Sequence, residues 1–210
     1  MTPEQPPTVG AILAGGLARR MGGGDKPLRA VGGRTSLARI VERLASQTVR
    51  VILNANDDPR RFGSFGLPVV ADTLPDHPGP LAGVLAALDW TATTIPAVGW
   101  VVSVPGDAPF VPRDLVARLH AARQSSDTTF ACAASQGRTH PVIALWPVAI
   151  RDRLRRAVAE QGIRKIDLFT ERDGCAAADW PASPVDPFFN VNTPEDLLEA
   201  DRLVALYPDL

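Results

Sequence analysis

The stretch Leu13-Ala-Gly-Gly-Leu-Ala-Arg-Arg-Met-Gly-Gly-Gly-Asp-Lys26 packs five glycines and three basic residues into 14 positions. Glycines let a backbone turn tightly and aim several N–H groups at one ligand, and such concave arrays favour anions. Arg19, Arg20 and Lys26 add charge-assisted bonds suited to phosphate oxygens. The stretch is not a P-loop, because no Gly-Lys is followed by Ser or Thr. The G-x-G-x-x-G spacing of a dinucleotide fold is also absent, which disfavours an NAD oxidoreductase. A solvated surface loop is the rival reading, but long loops inside compact domains usually carry function.

Asp107 ends the most apolar run of the chain, residues 98–104, between Gly106 and Pro109. A lone carboxylate there is costly unless something neutralises it, and Mg²⁺ shared with triphosphate oxygens and water would do so. The alternative is an Asp capping the helix that opens near Pro112. Asn54 and Asp72 follow two further apolar runs. Asn can pair with a base or ribose as donor and acceptor, while Asp accepts from guanine N–H groups or a sugar hydroxyl. Turn formation is the rival role for each. The segment from Gly79 through Pro80, Leu81 and Ala82 to Gly83 places N–H groups at a helix start, fit for another anionic part of a ligand.

Asn190 and Asn192 would face one side of an extended chain, with turn or capping duty equally open. His140 precedes Pro141, is pushed toward extended geometry, and reads as structural. His77, His120 and His140 show no metal-ligand spacing with Cys132 and Cys175. No Ser/His/Asp arrangement argues for a covalent step. Trp90, Trp100, Trp146 and Trp180 read as packing residues, since no basic stripe interleaves them.

The elements that must position these groups alternate between strand and helix. Residues 9–13, 49–53, 67–71 and 98–104 read as buried parallel strands, and 128–134 and 142–146 as later strands. Ser36 can cap a helix carrying Leu37, Ile40, Val41 and Leu44; Gly79-Pro80 precede one carrying Leu81, Val84, Leu85 and Leu88. Pro112 opens a helix with Leu115 and Leu119, and Ile150, Leu154, Ala157 and Val158 mark another. Thr193-Pro194-Glu195-Asp196 starts the last, with Leu197, Ala200 and Val204 on its apolar face. The expected fold is α/β: a single-domain, doubly wound, mainly parallel sheet over residues 9–210, preceded by a loose tail at 1–8. Its C-terminal strand ends form one crevice, onto which the loop at 13–26, Asn54, Asp72 and Asp107 converge.

Twenty-two basic against 23 acidic residues give the 210-residue chain a net charge of −1, with 45% hydrophobic residues. That balance argues against a broad electrostatic hold on nucleic acid or an anionic membrane. Cys132 and Cys175 lie in apolar stretches and read as small core residues of a reducing compartment. The start lacks a basic and apolar leader and no run reaches bilayer length, so the expected location is cytoplasmic.

The glycine-rich stretch resembles the signature loop of nucleotidyltransferases that activate sugars, terpenoid precursors and molybdopterin. The resemblance is closest to the molybdenum cofactor guanylyltransferases and continues through Asn54-Ala-Asn, Asp72, Gly79-Pro-Leu-Ala-Gly83 and Pro105-Gly-Asp-Ala-Pro-Phe110. It ends with His140-Pro-Val-Ile-Ala-Leu145 and Asn190-Val-Asn-Thr-Pro-Glu195, the blocks keeping the family's order from residue 9 to residue 206. It implies a Rossmann-like nucleotidyltransferase fold and transfer of GMP from GTP to molybdenum-molybdopterin, with release of pyrophosphate. Mg²⁺ would sit on Asp107, and Lys26, Arg20 and Asp107 would be catalytic. Leu13, Ala14, Gly15, Gly16, Lys26, Asn54, Asp72 and Asp107 would hold the nucleotide; Gly79, Gly83, Asn190 and Asn192 would lie on the molybdopterin side. Molybdopterin-delivery proteins and acceptor molybdoenzymes are the implied partners, with neither nucleic acid nor membrane. A cytidylyltransferase acting on molybdopterin or a terpenoid precursor would use the same skeleton. The Gly15-Gly16 pair favours guanine, since cytidylyl relatives often carry Ala first. A non-catalytic nucleotide-binding cofactor chaperone is the remaining alternative, against which the presence of Asp107 and Lys26 speaks.

Overall fold

The strands carry long apolar runs because both faces of the sheet they build are covered by helices. A computed structural model describes residues 5–15, 26–56, 58–74 and 79–209. Its strands are β1 (Thr8–Leu13), β2 (Ala30–Val31), β3 (Arg34–Thr35), β4 (Arg50–Asn54), β5 (Val69–Val70), β6 (Trp100–Pro105), β7 (Phe130–Ser135), β8 (Arg138–Pro147) and β9 (Cys175–Trp180). The helices are α1 (Ser36–Ala45), α2 (Pro80–Thr94), α3 (Leu115–Ser126), α4 (Arg151–Ala159), α5 (Ile166–Thr170) and α6 (Pro194–Leu206). Seven strands form one sheet in the order β5-β4-β1-β6-β8-β7-β9, while β2 and β3 make a separate ribbon. Within the seven-stranded sheet, among the described residues, only β8 runs antiparallel to its neighbours, so the sheet is mainly parallel as expected.

Alternate side chains of each central strand enter opposite cores. Ile12, Leu53, Val102 and Val104 pack with Leu37, Ile40 and Leu44 of α1 and with Leu115 and Leu119 of α3. On the other face, Val9, Ala11, Ile52 and Val101 meet Leu81, Leu85 and Leu88 of α2, Leu154 of α4 and Phe169 of α5. The domain is therefore doubly wound. A third cluster joins Val31 and Phe110 to Val185, Val191, Ala200 and Leu203, fastening α6 and the chain before it beside the end of β6. None of the helices among the described residues is long and apolar enough to cross a membrane.

Several boundaries move. Thr8 belongs to β1 rather than to a tail; it is buried, and His120 Nε2 lies 2.9 Å from its hydroxyl. Thr35, not Ser36, caps α1 by accepting from the Ala38 N–H, because Ser36 spends its hydroxyl on Gly106 O. Helix α3 begins at Leu115 with Asp114 in the cap position, later than Pro112. The strand expected over 67–71 narrows to β5, and β8 starts at Arg138, ahead of the expected 142. Elements β9 and α5 had no expected counterpart. Cys132 is buried and Cys175 half-buried; both are free thiols.

Candidate active site

The strand order reverses direction at β1, with β4 and β5 on one side and β6 on the other. The two sides are tied at this point: Gly106 N–H donates to Leu13 O (3.0 Å), and Ala14 N–H donates to Asn54 O (2.9 Å). Gly15 is exposed beyond them. Gly16, Arg19, Arg20 and His77 lie outside the described residues.

Lys26 stands at the head of a 3₁₀ turn, Lys26–Leu28. Arg29 N–H donates to Lys26 O (3.2 Å), Ser36 N–H to Arg29 O (2.9 Å), and Ser36 Oγ to Gly106 O (3.0 Å). A Cβ at Gly106 would stand 2.7 Å from Pro27 Cγ, closer than real carbon contacts allow, so glycine there lets the turn dock on the end of β6. Docked in this way, Lys26 Nζ lies 3.6 Å from Asp107 Oδ2 and donates to Asn192 Oδ1 at 2.7 Å.

The Asp107 side chain is 19% exposed. Burial pushes its carboxyl pKa above the ordinary value, and Lys26 pulls it back. Asp107 does not cap α3, since Asp114 stands in that position. Among the described residues no group of three or more His, Cys, Asp or Glu is arranged to hold a metal. Among the described residues, Asp107 thus offers a half-buried, hard oxygen donor without further carboxylates grouped around it. That set does not suit a protein-only cage, but it fits a cation that takes its other ligands from phosphate and water.

Residues 190–192 are not a strand, and the two asparagines part company: Asn192 meets Lys26, while Asn190 is exposed. Val191 N–H donates to Asp107 O (2.8 Å). The N–H groups of Asn192 and Thr193 both donate to Asp196 Oδ2 (2.9 Å), and Thr193 Oγ1 accepts from Asp196 N–H, a complete capping box on α6.

Across β1, Asn54 is buried at the end of β4, and its Nδ2 donates to Asp72 Oδ1 (2.8 Å) and Val70 O (3.1 Å). Asn56 was not singled out by sequence, yet its Nδ2 donates to Asp72 Oδ2 (2.8 Å) and its Oδ1 accepts from Asp72 N–H (2.7 Å). The i, i+2 spacing after a strand was the available signal. Gly83 packs against this group, for a Cβ there would overlap Asn54 Oδ1. Gly79 occupies the cap position of α2, which has no side-chain cap. Because α2 follows β5, that helix start lies on the edge of the sheet where β5 ends.

The same edge carries a group that sequence had dismissed. Ser103 of β6 pairs with Ala144 of β8, so Asp107 and His140 lie beyond that rung in the same direction. His140 Nε2 is 2.8 Å from Ser135 Oγ, which donates to Asp186 Oδ1 (3.0 Å). Burial outweighs Asp186 and holds the His140 pKa below its usual value. The hydroxyl stands between carboxylate and imidazole, so this is not the order of an activated nucleophile.

A Rossmann-like sheet with a lysine and a carboxylate meeting at its switch point, in a chain whose sequence is rich in glycine just before that lysine, has the makings of an α/β nucleotidyltransferase. The chain belongs to the family of MobA-like NTP transferase domains, whose pattern it matches over residues 10–173. It is 59% identical over 206 residues to a molybdenum cofactor guanylyltransferase of Nitrobacter hamburgensis, covering 98% of this chain and 99% of that one. A molybdenum cofactor guanylyltransferase of Rhodopseudomonas palustris is 58% identical over 207 residues, 99% of this chain and 96% of its own. Among solved structures, molybdopterin-guanine dinucleotide biosynthesis protein A from Archaeoglobus fulgidus superposes with a TM-score of 0.72 at 25% identity, covering 94% and 99% of the two chains. The 4-diphosphocytidyl-2C-methyl-D-erythritol synthase of Anaerococcus prevotii, at 12% identity and a TM-score of 0.71 over 96% and 97% of the chains, shares the fold.

Proposed function

We propose that this chain transfers GMP from GTP to the terminal phosphate of molybdenum-bearing molybdopterin. An oxygen of that phosphate attacks the α-phosphorus of GTP, the bond to the bridging oxygen breaks, and pyrophosphate leaves with the bonding pair. The attacking group is already anionic at neutral pH, so no side-chain base or covalent intermediate is required. Catalysis is positioning and charge neutralisation. The observation that carries this reading is the convergence of Lys26, Asp107 and Asn192 at the switch point.

In this reading Asp107 would hold a divalent cation, Mg²⁺ by the hardness of its carboxylate donor, which would supply neutralisation of the triphosphate charge. Lys26 and Arg20 offset the charge that builds on pyrophosphate. Leu13, Ala14, Gly15 and Gly16 line the nucleotide, while Asn54 and Asp72 hold it through hydrogen bonds that Asn56 braces. Gly79, Asn190 and Asn192 face the molybdopterin side. GTP as substrate and two free thiols favour a cytoplasmic setting, with molybdopterin-delivery proteins and acceptor molybdoenzymes as partners.

Calorimetric titration with Mg²⁺ present tests the choice of nucleotide. GTP should bind at least about tenfold more tightly than CTP, because a glycine pair at 15 and 16 puts no side chain between the backbone and a purine edge. Equal or reversed affinities would move the enzyme to the cytidylyl branch.

A further inference from the structure

Residues 186–192 run from the β7–β8 turn to Asp107 outside any ladder, so their polar groups and conformation must be secured by other means. One end is held by Asp186. Its Oδ1 accepts from Ser135 Oγ (3.0 Å) and from the Phe188 N–H (3.0 Å), and its Oδ2 accepts from Gln136 Nε2 (3.1 Å). Ser135 and Gln136 belong to the β7–β8 hairpin, so a carboxylate remote in sequence grips the hairpin tip. The Ser135 hydroxyl is buried and gives its proton to Asp186, so His140 Nε2–H donates to the same oxygen. With both roles used, the hydroxyl is locked in one rotamer. Phe188 is buried, with its ring 4.9 Å from His140 and 5.3 Å from Trp180.

The other end is held by Asp196 through the N–H groups of Asn192 and Thr193. Between the two anchors, Val191 N–H bonds the carbonyl of Asp107 and Asn192 accepts from Lys26. Only a few residues separate the Asp186 grip from these contacts.

We propose that Asp186 is a positioning residue for nucleotidyl transfer: by pinning residues 186–192 to the β7–β8 hairpin, it sets Asn192 on Lys26 and Lys26 beside Asp107. It touches neither substrate. The inference rests on the guanylyltransferase reading of the site but can be separated from it.

The test is a double-substitution cycle on the full chain. Asp186→Asn keeps the volume and weakens the grip; kcat should fall at least about tenfold, since small displacements of catalytic groups are costly, while the KM for GTP rises by a smaller factor. Asn54, Asp72 and Asn56 lie across β1 and are untouched, which limits the rise in KM to the share of binding that Lys26 supplies. Because Asp186 acts through Asn192, adding Asp186→Asn to Asn192→Ala should slow the enzyme no further. A wild-type kcat in Asp186→Asn, or losses that multiply in the double variant, would overturn the role. If Asp186→Asn fails to fold, Gln136→Ala removes one of the three bonds and should show a smaller fall in kcat with the same coupling. A wild-type rate there, or multiplying losses, would be equally fatal. The side-chain amide resonances of Asn192 report independently of turnover. They should move in Asp186→Asn even if the wild type proves inactive with GTP and molybdopterin, an outcome that overturns the reaction alone. Unmoved resonances overturn the positioning role.

Discussion

Asp107 is held under opposed demands. Its carboxylate sits where burial disfavours the charge, and the cation it would bind needs that charge. Asp107→Asn removes the buried charge and keeps the shape, so the variant should melt no lower than the wild type. Turnover should drop by about two to three orders of magnitude. Retained Mg²⁺-dependent turnover would show that the metal rests elsewhere. Gly83 poses a different question. The resemblance sets it on the molybdopterin side, whereas in the fold a Cβ at 83 would strike the Asn54 amide that braces Asp72. Gly83→Ala should therefore raise the KM for GTP by about tenfold, more than it raises the KM for molybdopterin. Steady-state kinetics with each substrate varied in turn decides it, and the opposite pattern would return Gly83 to the pterin side.

The elements owe their precision to side chains serving two structures at once. The capping box on α6 starts the helix and also fixes the backbone of Asn192. Thr193→Ala removes the cap oxygen and should cost about 1 kcal/mol, or roughly 2–4 °C of melting temperature for a domain of this size, measured by circular dichroism. An unchanged melt would mean that Asp196 alone holds the helix start. Such double duty also explains what could be read in advance. Strands β1, β4 and β6 announce themselves as unbroken apolar runs because both their faces are covered. The Thr193-Pro194 start is equally plain. Ser36 misled, because its hydroxyl is claimed by Gly106 O, a contact 70 residues away in sequence. The start of β8 was hidden by Arg138, Thr139 and Pro141: the fold pairs the first two with Ser135 and Ala134 of β7 and accommodates Pro141 at a register shift in that pairing. Strand β9, rich in alanine, carries little strand preference and is made by pairing with β7. Lys26 and Asp107 were legible as types at strand ends. The grip of Asp186 on Ser135 was not, since it joins residues 51 positions apart with no local pattern to announce it.

Across the whole molecule, a titrating group that bears on stability sits on the sheet edge opposite the chemistry. Asp107 follows the end of β6, whereas His120 bonds Thr8 at the start of β1. Burial, with Arg123 adding to it, pushes the His120 pKa down to about 4. The unfolded chain takes up that proton near pH 6.5 and the folded chain does not, so stability falls as pH drops from about 6.5 to about 4. The loss amounts to about 3 kcal/mol. Denaturant melts across this window should show the slope, and His120→Gln should reduce it to the part that His140, also held below its usual pKa by burial, contributes in the same direction, without changing the pH profile of kcat. A slope unchanged in His120→Gln would assign it to other groups.

The reaction itself is most directly tested by pyrophosphate release. Purified chain, molybdenum-bearing molybdopterin and Mg²⁺ would be supplied with GTP, CTP, ATP or UTP in turn, with Asp107→Asn in parallel. Guanylyl transfer predicts pyrophosphate with GTP alone among the four, formed together with the guanine dinucleotide of the cofactor, and at least about a hundredfold less from the variant. Release with CTP in preference to GTP, or release that does not require molybdopterin, would contradict it.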